Sequence, residues 1–124
     1  MNLGEEVNTF GNELFPFSYD DRNLYFSSDA HPGMGKLDVF RSIAEGDDWK
    51  NVSNLKPPIN SIGDDFGYIL DTRFKQGLFS SDRFDSQGLE DIYSFSDYQP
   101  LVINVDGGVT VSYTHLTLPT INWV

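Results

Sequence analysis

The chain has 124 residues, 8 of them basic and 19 acidic, for a formal net charge of −11. That charge repels phosphate backbones and anionic headgroups, so no nucleic-acid partner is expected. With no cysteine there is neither a disulfide framework nor a thiolate zinc site, and no apolar run of about 18 residues offers direct membrane insertion.

Glu13 to Tyr19 and Asn23 to Ser28 are aromatic-rich runs on either side of Asp20-Asp21-Arg22, which predicts a β-hairpin. A polar loop from Asp29 to Lys36 carries Gly35, and a third strand follows over Leu37 to Ile43. Ala44 to Asp48 is a turn, and Trp49 to Leu55 is a weaker fourth strand ended by Pro57-Pro58. The order then recurs: Phe66 to Asp71 and Gly77 to Ser81 flank Thr72 to Gln76, a loop runs from Asp82 to Leu89, and a strand covers Glu90 to Phe95. No stretch shows the 3.6-residue apolar spacing of a helix, so the predicted fold is all-β.

The recurrence is also one of residues. Phe26-Ser27-Ser28-Asp29, Gly35, Asp38 and Phe40 return as Phe79-Ser80-Ser81-Asp82, Gly88, Asp91 and Tyr93, with 79 − 26 = 53. Asn2-Leu3, Val7-Asn8, Gly11 and Glu13 match Asn54-Leu55, Ile59-Asn60, Gly63 and Asp65, with 54 − 2 = 52. Two units are therefore expected, at about 2–53 and 54–96, and Met1 falls inside a unit, so the gene product is expected to start upstream. A period of about 50 residues with four short antiparallel strands per unit points to propeller blades. A β-helix would need shorter and more regular rungs.

Gly11-Asn12-Glu13-Leu14-Phe15-Pro16-Phe17, Leu24-Tyr25-Phe26-Ser27-Ser28-Asp29 and Leu37-Asp38-Val39-Phe40 resemble the TolB-type, WD40-like propeller repeats of bacterial OmpA-family cell-envelope proteins. The connector Asn54 to Ser61 fits the same pattern. The resemblance implies a partial β-propeller of about two four-stranded blades. It also implies a location on the periplasmic side of the outer membrane, other envelope proteins as partners, and peptidoglycan contact only through a domain missing from this segment. After a linker at 97–100, residues 101–110 resemble the first strand and turn of a carboxypeptidase-regulatory-like β-sandwich. Residues 111–124 begin VSYTHLTLPT, which resembles a translated sequencing-library adapter, and are expected to be adapter-derived.

Three chemistries are offered by the repeated residues. Ser27, Ser28, Asp29 and His31 are the residue types of a hydrolase triad, but the second unit places Phe84 where the histidine would stand. The serines and aspartates are thus expected to bind backbone at strand ends. Asp29 and Asp38, like Asp82 and Asp91, could flank a calcium loop, yet the spacing of a known calcium loop is missing and a structural role is favoured. The aromatics, Phe26, Phe40, Phe79 and Tyr93 among them, are expected to pack between blades rather than stack on sugars, and Gly35 and Gly88 to permit unusual backbone angles. The signature residues Phe26, Ser27, Ser28, Asp29, Gly35, Asp38, Phe40, Phe79, Ser80, Ser81, Asp82, Gly88, Asp91 and Tyr93 are accordingly structural, with no catalytic, cofactor-binding or metal residue assigned. The expected function is a non-catalytic interaction scaffold. The alternatives are the gating propeller of a prolyl-oligopeptidase-like peptidase, or a stand-alone glycan- or peptide-binding propeller.

Overall fold

The computed structural model describes residues 1–71, 73, 76–84, 86 and 88–96 with their side chains, and the backbone of strands at 100–105, 108–113 and 121–123. The described residues are all-β and contain no helix. Strands β1 (Glu13–Phe17), β2 (Asn23–Ser28), β3 (Asp38–Glu45) and β4 (Asp48–Asn54) form one antiparallel sheet in chain order. Strands β5 (Asp65–Asp71), β6 (Gln76–Ser81) and β7 (Asp91–Ser96) form a second, and β8 (Pro100–Val105) pairs with β9 (Gly108–Tyr113). The short β10 (Ile121–Trp123) lies antiparallel on the outer edge of β7, where β4 stands in the first sheet. The expected turn residues 72, 74 and 75, the loop residues 85 and 87, the linker residues 97–99 and the tail residues 114–120 and 124 lie outside the described residues.

The first strand ends at Phe17, two residues earlier than expected. Ser18 Oγ turns inward to the Asn23 carbonyl at 2.6 Å, and Asp20 accepts the backbone N–H groups of Arg22 and Asn23, both at 2.8 Å. These bonds draw the chain into a turn before the aromatic run is exhausted. At the other end β3 extends to Glu45, and the turn narrows around Gly46, whose φ is +62°.

The two sheets repeat residue for residue. Glu13 pairs with Ser28, Leu14 with Ser27 and Phe17 with Tyr25; their counterparts Asp65 with Ser81, Phe66 with Ser80 and Ile69 with Leu78 pair likewise. Both first strands break register at the same place, and the residues there are Phe15 at φ +54° and Gly67 at φ +68°. A bulge of this kind needs a left-handed residue, which glycine supplies freely and phenylalanine does not.

The sheets face each other through one apolar cluster. Tyr25 and Val39 from the first sheet meet Ile59, Tyr68, Phe79, Tyr93 and Phe95 from the second unit. Tyr25 stacks on Tyr68 with ring centres 4.7 Å apart, and Phe15 packs on Phe66 at 5.1 Å. A second cluster, Val7, Leu24, Phe26 and Phe40, covers the opposite face of the first sheet. Phe26 and Phe40 therefore sit in a different cluster from Phe79 and Tyr93. This follows from strand alternation, because residues 25 and 26 point to opposite faces.

Candidate functional site

Each unit opens with a short polar segment that is tied to the end of its own second strand. In the first, the Thr9 N–H and hydroxyl both donate to the Glu13 carboxylate, at 2.9 and 2.6 Å, and Ser28 Oγ donates to Glu13 Oε2 at 2.7 Å. In the second, the Ser61 N–H and hydroxyl donate to Asp65 at 2.7 and 3.0 Å, and Ser81 Oγ donates to Asp65 Oδ1 at 2.7 Å. Outside this knot Asp29 accepts the Asn12 N–H at 2.8 Å and Asp82 accepts the Asp64 N–H at 2.6 Å. Thus Ser28, Asp29, Ser81 and Asp82 fasten the connecting segment to the sheet.

Over each knot sits a nitrogen base, and here the sequence alignment misleads. His31 Nε2 donates to the Val7 carbonyl at 2.8 Å, with its ring 5.6 Å from Phe26 and 5.2 Å from Phe40. The counterpart is Arg83, not Phe84. Its Nη2 donates to the carbonyl of Ile59, the match of Val7, at 2.6 Å, and its guanidinium carbon lies 5.1 Å from the Phe79 ring and 5.0 Å from Tyr93. Arg83 also pairs with Asp65 at 3.1 Å and binds the Pro58 carbonyl at 2.8 Å, while Phe84 stands 94% exposed. The longer arginine reaches from one position earlier, so an ungapped comparison hides the equivalence.

The triad residue types do not assemble. Ser28 gives its hydroxyl proton to Glu13, and its oxygen accepts the N–H groups of Ala30 and His31 at 3.2 Å each. Ser27 Oγ donates to the Asp65 carbonyl at 3.1 Å, across to the second unit, and the His31 ring is turned to Val7. Nor do Asp29 and Asp38 share a ligand sphere. Asp29 is held by Asn12, whereas buried Asp38 accepts the Gly35 N–H at 2.9 Å through Oδ2. Asp91 accepts the Gly88 N–H in the same way at 3.1 Å. Among the described residues no group of three acidic, histidine or cysteine side chains is placed to hold a metal ion.

The expected role of Gly35 needs correction. It has no positive φ. A Cβ on Gly35 would stand 2.0 Å from the Gly63 carbonyl oxygen and 2.8 Å from that of Ser61, so glycine serves the close approach of the second unit's opening segment. Among the described residues a Cβ on Gly88 would meet Asp91 Oδ1 first, at 3.4 Å.

Charge states differ among the knots. Burial pushes the Asp65 carboxyl above its ordinary value, although the Ser81, Ser61 and Arg83 contacts pull it down. Burial also raises Asp38, opposed by the Gly35 N–H and reinforced by the charge of Asp65. In less buried Glu13 the burial effect is outweighed by the Thr9 and Ser28 bonds, so its carboxyl falls below the usual value. Asp29 is also lowered, first by the Asn12 backbone N–H.

The junction between the units is itself hydrogen-bonded through buried groups. Asn60, 1% exposed, accepts the Val39 N–H at 2.7 Å and donates to the Val39 carbonyl at 2.8 Å. Asn60 is steadied by Asn54 Oδ1 at 2.8 Å. Beside it the Leu37 N–H donates to Asp64 Oδ1 at 2.9 Å, and the Asp65 N–H donates to the Leu37 carbonyl at 2.7 Å. Residue types alone did not single out Asn60, Glu13, Asp65 or Arg83 as working residues. The signal was present only in the recurrence of Asn8, Glu13 and Val7 as Asn60, Asp65 and Ile59. No protein-family model, curated protein or solved structure matches the chain.

Proposed function

We propose that the chain is two consecutive blades of a TolB-type β-propeller, acting as a non-catalytic interaction scaffold in the cell envelope. One observation carries this reading: two sheets with the same polar knot, bulge and register stand side by side through β1 and β5, with the opening segment of one clamped on the third strand of the other. A repeat that spends its serines, aspartates and bases on fastening itself presents surfaces rather than reactive groups. The envelope location and its protein partners rest on the sequence resemblance. Sequencing the source gene to both sides, with fractionation of cells that make the whole product, tests the proposal. An export signal, further blades and recovery in the envelope fraction are expected. A product without an export signal that stays in the cytosolic fraction overturns it.

A further inference from the structure

The junction has two non-identical sides, and the repeat places a copy of each at the outer faces of the pair. On one side are Tyr25 and Ser27 of β2, Val39 of β3 and Leu37 just before β3; on the other are Ile59, Asn60, Asp64, Asp65 and Tyr68. The repeat carries the first side onto Leu78, Ser80, Glu90 and Ile92, with Ile92 opposite Ser80 as Val39 is opposite Ser27. It carries the second onto Val7, Asn8, Asn12, Glu13 and Pro16.

Both outer copies carry exposed positions among the described residues, Asn12 and Pro16 on one and Glu90 and Ile92 on the other. Ile92 is 52% exposed where Val39 is fully buried. Asn8 is oriented by Asn2 Oδ1 at 3.0 Å, as Asn60 is by Asn54, but no third strand is seated on it among the described residues. Next to Asn8 is a groove of about 210 Å³ lined by Leu3, Val7, Leu14, Pro16 and Phe26. Its place matches the surface on which Tyr25 rests in the internal junction, and Leu78 is the residue in register to enter it.

We infer that the chain associates with further copies of itself head to tail, the β6–β7 face of one copy entering the Asn8 groove of the next. The internal junction is the template, with Asn8 taking the backbone of Ile92 as Asn60 takes that of Val39. Such a contact is heterologous, so it propagates into a ring or an open chain rather than stopping at a symmetric dimer. Glu90 and Asp91 approach Glu13 in a chain of net charge −11, so added salt strengthens the association by screening. The inference concerns the 124-residue chain as it stands and rests on the register of the repeat; a longer product with further blades would seat those blades on the same two faces.

Sedimentation velocity over a wide concentration range, at low and at high salt, tests it. Species larger than a dimer are expected, growing with concentration and with salt. Asn8→Ala and Ile92→Asp, each checked for an unchanged far-ultraviolet circular dichroism spectrum, should each lose every species above the monomer. An equimolar mixture of the two variants retains one intact face of each kind and should form a one-to-one dimer that grows no further. A wild-type chain that stays monomeric throughout, which would reserve these faces for a different partner, overturns the inference. So does association that survives either substitution, or a mixture that stays monomeric.

Discussion

Replacing Asn60 by alanine tests whether the clamp on Val39 holds the two sheets together. The Val39 carbonyl keeps the Leu55 N–H at 3.1 Å, and Asn54 Oδ1 keeps the Lys56 N–H at 2.6 Å. The Val39 N–H has no such reserve, since it donates to Asn60 within a residue that is 0% exposed. An orphaned buried donor costs about 1–3 kcal/mol and each of the two further lost bonds about 1 kcal/mol, so Asn60→Ala should destabilise by about 3–5 kcal/mol. The same change at Asn8, whose side-chain bond to Asn2 is exposed, should cost about 0.5 kcal/mol or less. Urea titration of both variants at a concentration where the chain is monomeric, followed by tryptophan fluorescence, reads the difference. Equal losses, or a loss below about 1 kcal/mol for Asn60→Ala, would refute the assignment of the clamp.

Arg83→Met removes the partner of an Asp65 carboxylate that is fully buried, and a loss of about 3–5 kcal/mol is expected in the same titration. Adding Asp65→Asn to that variant should recover part of the loss; strict additivity of the two would show that the pair is not coupled. Gly67→Ala places a side chain at φ +68° with open space around it, its nearest neighbour being Ser80 Oγ at 3.9 Å. The cost is therefore backbone strain alone, about 1–2 kcal/mol, and Gly67→Asn should cost less; equal stability of wild type and Gly67→Ala would place this bulge elsewhere in φ. Asp38 has a raised carboxyl in the folded chain, so the folded state holds its proton more tightly than the unfolded state and loses stability as pH rises from about 4 through the folded value. Asp38→Asn should remove that slope, gaining relative to wild type between about pH 4 and pH 7 in thermal melts; a pH-independent difference contradicts it.

Strands β1, β2, β5, β6 and β7 were legible in the sequence because each is a short run that carries an aromatic and is closed by turn residues, and burial on one face enforces alternation. The two-unit repeat was legible too, and in the structure matched positions do meet matched neighbours, Glu13 with Ser28 and Asp65 with Ser81. Arg83 was not legible, because its equivalence to His31 lies in where the side chain ends and not in where its Cα sits. The role of Asn60, and the reason glycine stands at position 35, were hidden for a related reason. Asn60 acts on Val39, 21 residues away, and Gly35 is constrained by the Gly63 carbonyl of the other unit. By itself, then, the sequence determined an all-β chain of two like units with an acidic surface, because those properties follow from local pattern and composition. Only the tertiary structure decided that Ser28 donates to Glu13 rather than to the His31 ring, and that the junction has two distinct sides that the repeat copies at the outer faces of the pair. Those outcomes depend on which side chains converge after the chain has folded back, and sequence separation carries no record of that distance.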